Sequence, residues 1–232
     1  MHVKQILSER LKGVEARIRA ACQRAGRPRA AVTLVAVTKS VPVEVAALLP
    51  ELGVVDLGEN RPQEFWRRAA ALPNARWHFI GHLQRNKIER TLPLVHLLHS
   101  VDSVRLLTAL EEEAAKQART VEVLLEVNAS REANKQGFAP EELPGVLPEL
   151  NRLRQVRVRG LMTMAALADD SEESRPTFAA VRQFRDNLRA KIEPPHELAH
   201  LSMGMTNDFE VAIEEGATMV RVGTALFEGL PL

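Results

Sequence analysis

Lys39 follows the apolar, largely β-branched run Leu34-Val35-Ala36-Val37-Thr38 and leads into Ser40-Val41-Pro42. A lysine delivered by a buried segment can have its ammonium desolvated, which lowers the amine's pKa and prepares it to attack an aldehyde and form a Schiff base. It can equally lay its stem along the protein and keep its charge in water. Two further segments bear on that choice. Ser202-Met203-Gly204-Met205-Thr206-Asn207-Asp208 and Arg221-Val222-Gly223-Thr224-Ala225-Leu226-Phe227 each place a glycine and a small hydroxyl residue between an apolar run and a helix start. Glycine lets backbone N–H groups approach an anion, and a helix N-terminus favours negative charge. Arg221 has only donors and stays protonated, so it suits a phosphate, an unprotonated ring nitrogen, or an ion pair with Glu214 or Glu215.

The elements that must position these groups follow from periodicity. Short apolar runs at 32–37, 54–57, 77–80, 95–101, 121–127, 156–162, 198–203 and 219–222 predict eight strands. Helical signals lie between them. Val3, Leu7, Leu11, Val14 and Ile18 share one face of a first helix that Gly26 and Pro28 end. Asn60, with Pro62 and Gln63, reads as the cap of a helix through Trp66. Ser103 caps a helix bearing Val104, Leu107, Leu110 and Ala114, with Glu112 and Lys116 spaced for an ion pair. Phe178, Val181, Phe184, Leu188 and Ile192 form another stripe before Pro194, and Asn207 with Glu210 caps a last helix that Gly216 closes.

Strands alternating with helices imply parallel strands joined by right-handed crossovers. Eight such units predict the α/β class and a single (β/α)₈ TIM-like barrel over residues 1–232, with an extra N-terminal helix. An open doubly wound sheet would call for a glycine-rich first crossover, and TKSVP has no glycine. DDSEES, residues 169–174, reads as a short acidic loop rather than a domain boundary.

Composition narrows the function classes. Lys plus Arg is 31 against 30 for Asp plus Glu, a formal charge of +1, which removes the bulk electrostatic drive toward nucleic acid or an acidic membrane. No apolar run approaches the roughly 20 residues that span a bilayer, and the N-terminus lacks a signal peptide's apolar core, so a cytoplasmic protein is expected. Cys22, the one cysteine, can form no internal disulfide and no cysteine zinc site. His78 with His82, His96 with His99 and His196 with His200 are spaced along strands in ways that keep each pair from one metal ion, so structural histidines and no metal are expected.

In such a barrel, functional groups collect where strands run into the following loops. Those places hold Lys39, Glu59 and Asn60, His82 and Gln84, Asp102, Asn128, Met162 and Thr163, Ser202 to Gly204, and Arg221 to Thr224. The loops after the last two strands form the common phosphate site of the fold. A phosphate held across the mouth from a Schiff-base lysine points to pyridoxal 5′-phosphate (PLP). Arg221 against the ring nitrogen would keep it unprotonated and damp the cofactor's reactivity. Two other readings stand beside a PLP binder: a PLP-dependent amino-acid racemase or decarboxylase, and a barrel aldolase or isomerase that takes a phosphorylated metabolite without PLP.

VAVTKS, GEN followed by Gln63 and Glu64, WHFIGHLQRNK, GLMTM, LSMGMTND and MVRVGTALF occur in order over nearly the whole chain. Together they resemble the signature segments of the PLP homeostasis proteins (the YggS/PROSC family). The resemblance implies a barrel similar to the N-terminal domain of alanine racemase, without that enzyme's second, β-rich domain. It implies PLP held as an aldimine on Lys39, Ser202, Gly204, Gly223 and Thr224 around the phosphate, Arg221 near the ring nitrogen, and Asn60 beside the cofactor. It also implies a non-catalytic monomer that buffers PLP and delivers it to PLP-dependent apoenzymes. Family members often read Ser-Lys-x-Gly after the fifth strand, where this chain has Asn134-Lys135-Gln136-Gly137. A racemase needs an acid/base group on each face of the substrate α-carbon. The related enzyme takes one from a tyrosine of a partner's second domain, and this chain contains no tyrosine, leaving Lys39 and His82 as the candidates.

Overall fold

A computed structural model describes residues 2–130, 136–166 and 168–231. Its strands are β1 (Thr33–Val37), β2 (Asp56–Glu59), β3 (Arg76–Phe79), β4 (Leu97–Val101), β5 (Val121–Glu126), β6 (Val156–Met162), β7 (His200–Ser202) and β8 (Met219–Val222). They pair in sequence order as a closed parallel barrel, with β8 returning to β1 through Leu34↔Val220 and Ala36↔Val222. The helices are α1 (His2–Arg24), α2 (Val43–Ala46), α3 (Leu48–Glu51), α4 (Pro62–Ala71), α5 (Ile88–Thr91), α6 (Val104–Lys116), α7 (Leu143–Leu150), α8 (Arg175–Arg189), α9 (Phe209–Glu214) and α10 (Thr224–Phe227). The expected TIM-like barrel is the observed one. No helix among the described residues is long and apolar enough to cross a membrane.

Side chains alternate across each strand, so every second residue faces the helices and the others face the barrel axis. Leu34, Ala36, Leu57, Trp77, Phe79, Leu98, Leu161, Leu201, Val220 and Val222 join the helix faces in the main apolar core. A separate small cluster of Leu97, Leu124, Met162 and Met219 fills part of the interior. Other inward positions carry polar groups, among them Asp56, His78, His99, Ser202 and Arg221, all buried. α1 closes the start of the chain onto the end. Leu7, Leu11, Val14 and Ile18 are buried as the stripe requires, Arg17 pairs with Glu210 at 2.9 Å, and Arg24 pairs with Glu214 at 2.6 Å.

Several local expectations are corrected. β2 runs two residues later than the apolar run suggested, because Asp56 and Glu59 are buried with partners that a hydrophobicity pattern does not register. Asn60 does not cap α4. Arg61 holds that position, and the Glu59 carboxylate accepts the N–H groups of Asn60 and Arg61 at 2.7 and 3.3 Å. Asp208 rather than Asn207 precedes α9, with its Oδ1 accepting the Met205 N–H at 2.6 Å. Lys116 pairs with Glu113 instead of Glu112, and Ile192 lies beyond the end of α8. Residues 169–174 are more than a loop, since a 3₁₀ turn forms at Ser171–Ser174. Ser103 does cap α6, accepting the Leu106 N–H.

Candidate functional site

A cavity of about 520 Å³ opens at the C-terminal ends of the strands. Lys39, Asn60, Arg221, Gly223 and Thr224 all line it, on elements that the barrel brings together from opposite ends of the chain. Lys39 lies two residues beyond the inward-facing Val37, so alternation aims it at the mouth. Its side chain is exposed there, the second of the two arrangements weighed for it from the sequence. The reason is local: Lys39 sits in the turn after β1, where Thr38 is buried and bonded to the Gly58 carbonyl while Lys39 and Ser40 are exposed at the cavity mouth.

The turns after β7 and β8 are joined. The Ala225 N–H donates to Thr206 Oγ1 at 3.3 Å, and the Arg221 N–H donates to the Gly204 carbonyl at 3.0 Å. Gly204 has φ +91°, and a Cβ there would lie 2.6 Å from Ala212 Cβ, so its freedom serves the packing of α9 against the turn. Gly204 and Ser202 are not among the lining residues. Ser202 is buried beneath Arg221, whose Nη1 donates to Ser202 Oγ at 2.6 Å while Nη2 donates to the Thr163 carbonyl at 2.9 Å. Burial pushes the Arg221 pKa down to about 10, against the pull of Asp208 and Glu126, so the guanidinium remains charged at neutral pH with its other N–H donors available to the cavity. The ion pair weighed for it with Glu214 or Glu215 does not form, because those carboxylates bind Arg24, Arg175 and Arg182.

Two groups, Arg68 and Glu126, escaped the sequence reading, and the partner of Glu59 was not foreseen. Glu59 and Arg68 form a buried pair at 3.2 Å behind the Asn60 turn, and Arg68 Nη2 also donates to the Val41 carbonyl at 2.6 Å. This pair braces the Lys39 turn and the Asn60 turn together. Glu126, rather than the proposed Asn128, reaches the cavity from β5. A carboxylate in phase with the inward Leu124 was the available signal. Burial, then repulsion from Asp102, raises the Glu126 pKa to about 7, although Arg221 and His82 pull it back. His82 lines the mouth as expected and bonds Asp102 Oδ2 through Nδ1 at 3.1 Å. Ser171 and Ser174 add to the wall from the acidic segment. Lys135 and Asn134 lie outside the described residues.

Two outcomes follow from this geometry. A Cβ at Gly81 would lie 2.0 Å from the Asn60 carbonyl. Gly81→Ala is therefore expected to displace the Asn60 turn and cost about 3 kcal/mol in urea unfolding. Glu126 binds a proton in the folded chain that it releases in the unfolded one between its ordinary value of 4.5 and about 7. Folding stability therefore falls as pH rises through that window. Glu126→Gln is expected to match the wild type near pH 4 and to exceed it by roughly 2 kcal/mol at pH 8, read by denaturant titration at both values.

The comparisons with known proteins agree with the barrel fold. The family described as alanine racemase, N-terminal domain, matches residues 10–231. The alanine racemase of Clostridium difficile 630 shares the fold with a TM-score of 0.75 at 19% identity, over 98% of this chain and 58% of that one. This is the class of barrel that the strand order and the mouth define. A pyridoxal phosphate homeostasis protein of Aquifex aeolicus is 43% identical over 94% of this chain and 96% of its own length. Another from Pseudomonas aeruginosa is 38% identical over 95% and 94%. PipY of Synechococcus elongatus, solved with PLP bound, superposes with a TM-score of 0.82 at 35% identity, covering 95% of this chain and 99% of that one. The chain belongs to the pyridoxal phosphate homeostasis protein family.

Proposed function

We propose that this chain is a single-domain, monomeric, cytoplasmic protein that binds PLP without catalysing a reaction of its own, keeping a reactive aldehyde sequestered and passing it to PLP-dependent apoenzymes. The observation that carries the reading is one cavity presenting the Lys39 amine, the Arg221 guanidinium and the linked turns at Thr206 and Gly223–Thr224. The residues fit the group. Asn60 Oδ1 is buried on that wall without a hydrogen-bond partner among the described residues, and a polar atom in that state calls for a ligand donor. Gly223 lines the cavity with its backbone packed closely on β1, where a Cβ would stand 3.2 Å from the Val37 carbonyl. Bound PLP supplies an aldehyde that an amine takes up reversibly with loss of one water.

Lys39 is the amine placed to hold that carbon, and its exposure suits a protein that must release as well as capture. Gly223 and Thr224, with Thr206 opposite, are the groups suited to the phosphate oxygens. Arg221 offers only donors to the ring nitrogen, which supports an unprotonated ring and a weak electron sink. Ser202 supports the site through Arg221 rather than by touching phosphate, and Gly204 by shaping the turn. The relative solved with PLP supports the choice of ligand.

The test is to add PLP to the purified chain, remove free cofactor by gel filtration, and mix the product with the apo form of a PLP enzyme. A yellow, stoichiometric complex that restores that enzyme's activity is expected; a colourless chain after PLP addition would overturn the reading. Glu126 and His82 on the wall favour one second reading, a racemase or decarboxylase, because a carboxyl and an imidazole are side chains that serve as acid and base. Incubation of the PLP complex with L-alanine in D₂O separates the two. The proposal expects no α-deuterium uptake above free PLP, and rapid uptake would favour the enzyme.

A further inference from the structure

Five buried side chains make a continuous line across the barrel interior, from the cavity floor toward the N-terminal face. Arg221 Nη1 donates to Ser202 Oγ at 2.6 Å, Ser202 Oγ bonds His99 Nδ1 at 2.8 Å, His99 Nε2 bonds His78 Nδ1 at 2.8 Å, and His78 Nε2 bonds Asp56 Oδ1 at 3.0 Å. Asp56 starts β2, and its other oxygen takes Arg76 Nη2 at 2.5 Å at the half-exposed far end. The two imidazoles meet edge to face, with centroids 5.0 Å apart.

We propose that Ser202, His99, His78 and Asp56 are positioning residues for Arg221: a one-directional line of hydrogen bonds that fixes which guanidinium donors face the cavity. The proposal rests on the cavity taking PLP only for its functional consequence. Its direction follows from the ends. Guanidinium can only donate, and an ionised carboxylate can only accept. Between them, Ser202 spends its O–H on His99 Nδ1, so His99 carries its proton on Nε2 and gives it to His78 Nδ1, and His78 carries its proton on Nε2 and gives it to Asp56. Every link then has one donor and one acceptor with both imidazoles neutral. The reverse direction would put a cation on His78 and leave the Ser202 hydroxyl with no acceptor among the described residues.

The surroundings favour the neutral form. Burial holds His78 below its usual pKa despite the hydrogen bond to Asp56, and burial together with His78 and Arg221 holds His99 well below. Burial opposes ionisation of Asp56, but its hydrogen bonds to His78 and Arg76 outweigh this and keep it below the usual carboxylate range. Ser202 is thereby engaged on both sides, and the line gives the serine of LSMGMTND a task distinct from phosphate contact.

The experiment has two readouts. In ¹⁵N-histidine-labelled apo-protein at pH 7, long-range ¹H–¹⁵N correlation is expected to show His78 and His99 both neutral with the proton on Nε2. An imidazolium, or a proton on Nδ1 in either ring, overturns the proposal, and this readout is independent of whether PLP binds. In the PLP complex, Ser202→Ala and His99→Phe are each expected to weaken PLP binding about tenfold, the scale of one buried hydrogen bond. The double variant is expected to weaken it no further than either single one, because both act through Arg221. Additive losses, or no loss in folded single variants, would overturn it. A wild-type chain that keeps the Nε2 protons and takes no PLP would defeat the proposed function while leaving the alignment of Arg221 in place.

Discussion

Lys39→Ala is expected to yield no covalent PLP adduct after borohydride reduction and to release PLP at least about 100-fold faster than the wild type, a difference of roughly 3 kcal/mol. The effect is large because the imine is the one covalent link available, whereas Gly223, Thr224 and Arg221 supply only hydrogen bonds and charge. The substitution leaves the fold intact. Lys39 is exposed and has no ion pair or side-chain hydrogen bond among the described residues, so a change within about 0.5 kcal/mol is expected in urea unfolding. Intact-mass measurement after reduction reads the adduct, and stopped-flow transfer of PLP to an excess of apoenzyme reads the release. A variant that still reduces to the same adduct would show that another amine holds the aldehyde.

Arg68→Met is expected to have the largest effect on stability, about 3–5 kcal/mol, since removing one partner of a buried ion pair leaves the other charge uncompensated. Glu59 is almost fully enclosed, 1% exposed at the side chain, and Arg68 is 4% exposed. Loss of the guanidinium also frees the Val41 carbonyl, so the turn carrying Lys39 and the turn carrying Asn60 loosen together. PLP affinity should therefore fall in the same variant. Glu59→Gln should cost less, because its amide oxygen can still accept from the Asn60 and Arg61 N–H groups. Denaturant midpoints and PLP titrations on the two variants check the order. Equal stability of Arg68→Met and wild type would remove the brace from the account.

The barrel was legible because its signal is additive. Eight apolar runs of strand length, separated by helix-period stripes, leave little choice of architecture, and the positions of Lys39, Asn60, Gly223 and Thr224 follow from strand order alone. What the sequence hides is pairing. Nothing in Glu59 or Arg68 shows that nine positions of chain bring them within 3.2 Å out of water. Nor does Ser202 reveal that His99, far away in sequence, takes it from below. Two caps failed for the same reason: Asn60 and Asn207 have suitable side chains, but neither helix takes a side-chain cap, and Glu59 and Asp208 bond N–H groups ahead of the helices, at Asn60 and Arg61 and at Met205. The exposure of Lys39 depends on a turn whose shape is set by Thr38 and Val41, which periodicity does not encode.

The central claim, that the Lys39 amine and the turns after β7 and β8 grip the two ends of one PLP molecule, is tested most directly by reducing the wild-type complex with borohydride and mapping the modified peptide. A phosphopyridoxyl group on the peptide containing Lys39, at one per chain, is the predicted result. Recovery of the group mainly on Lys135, or spread over surface lysines, would contradict it.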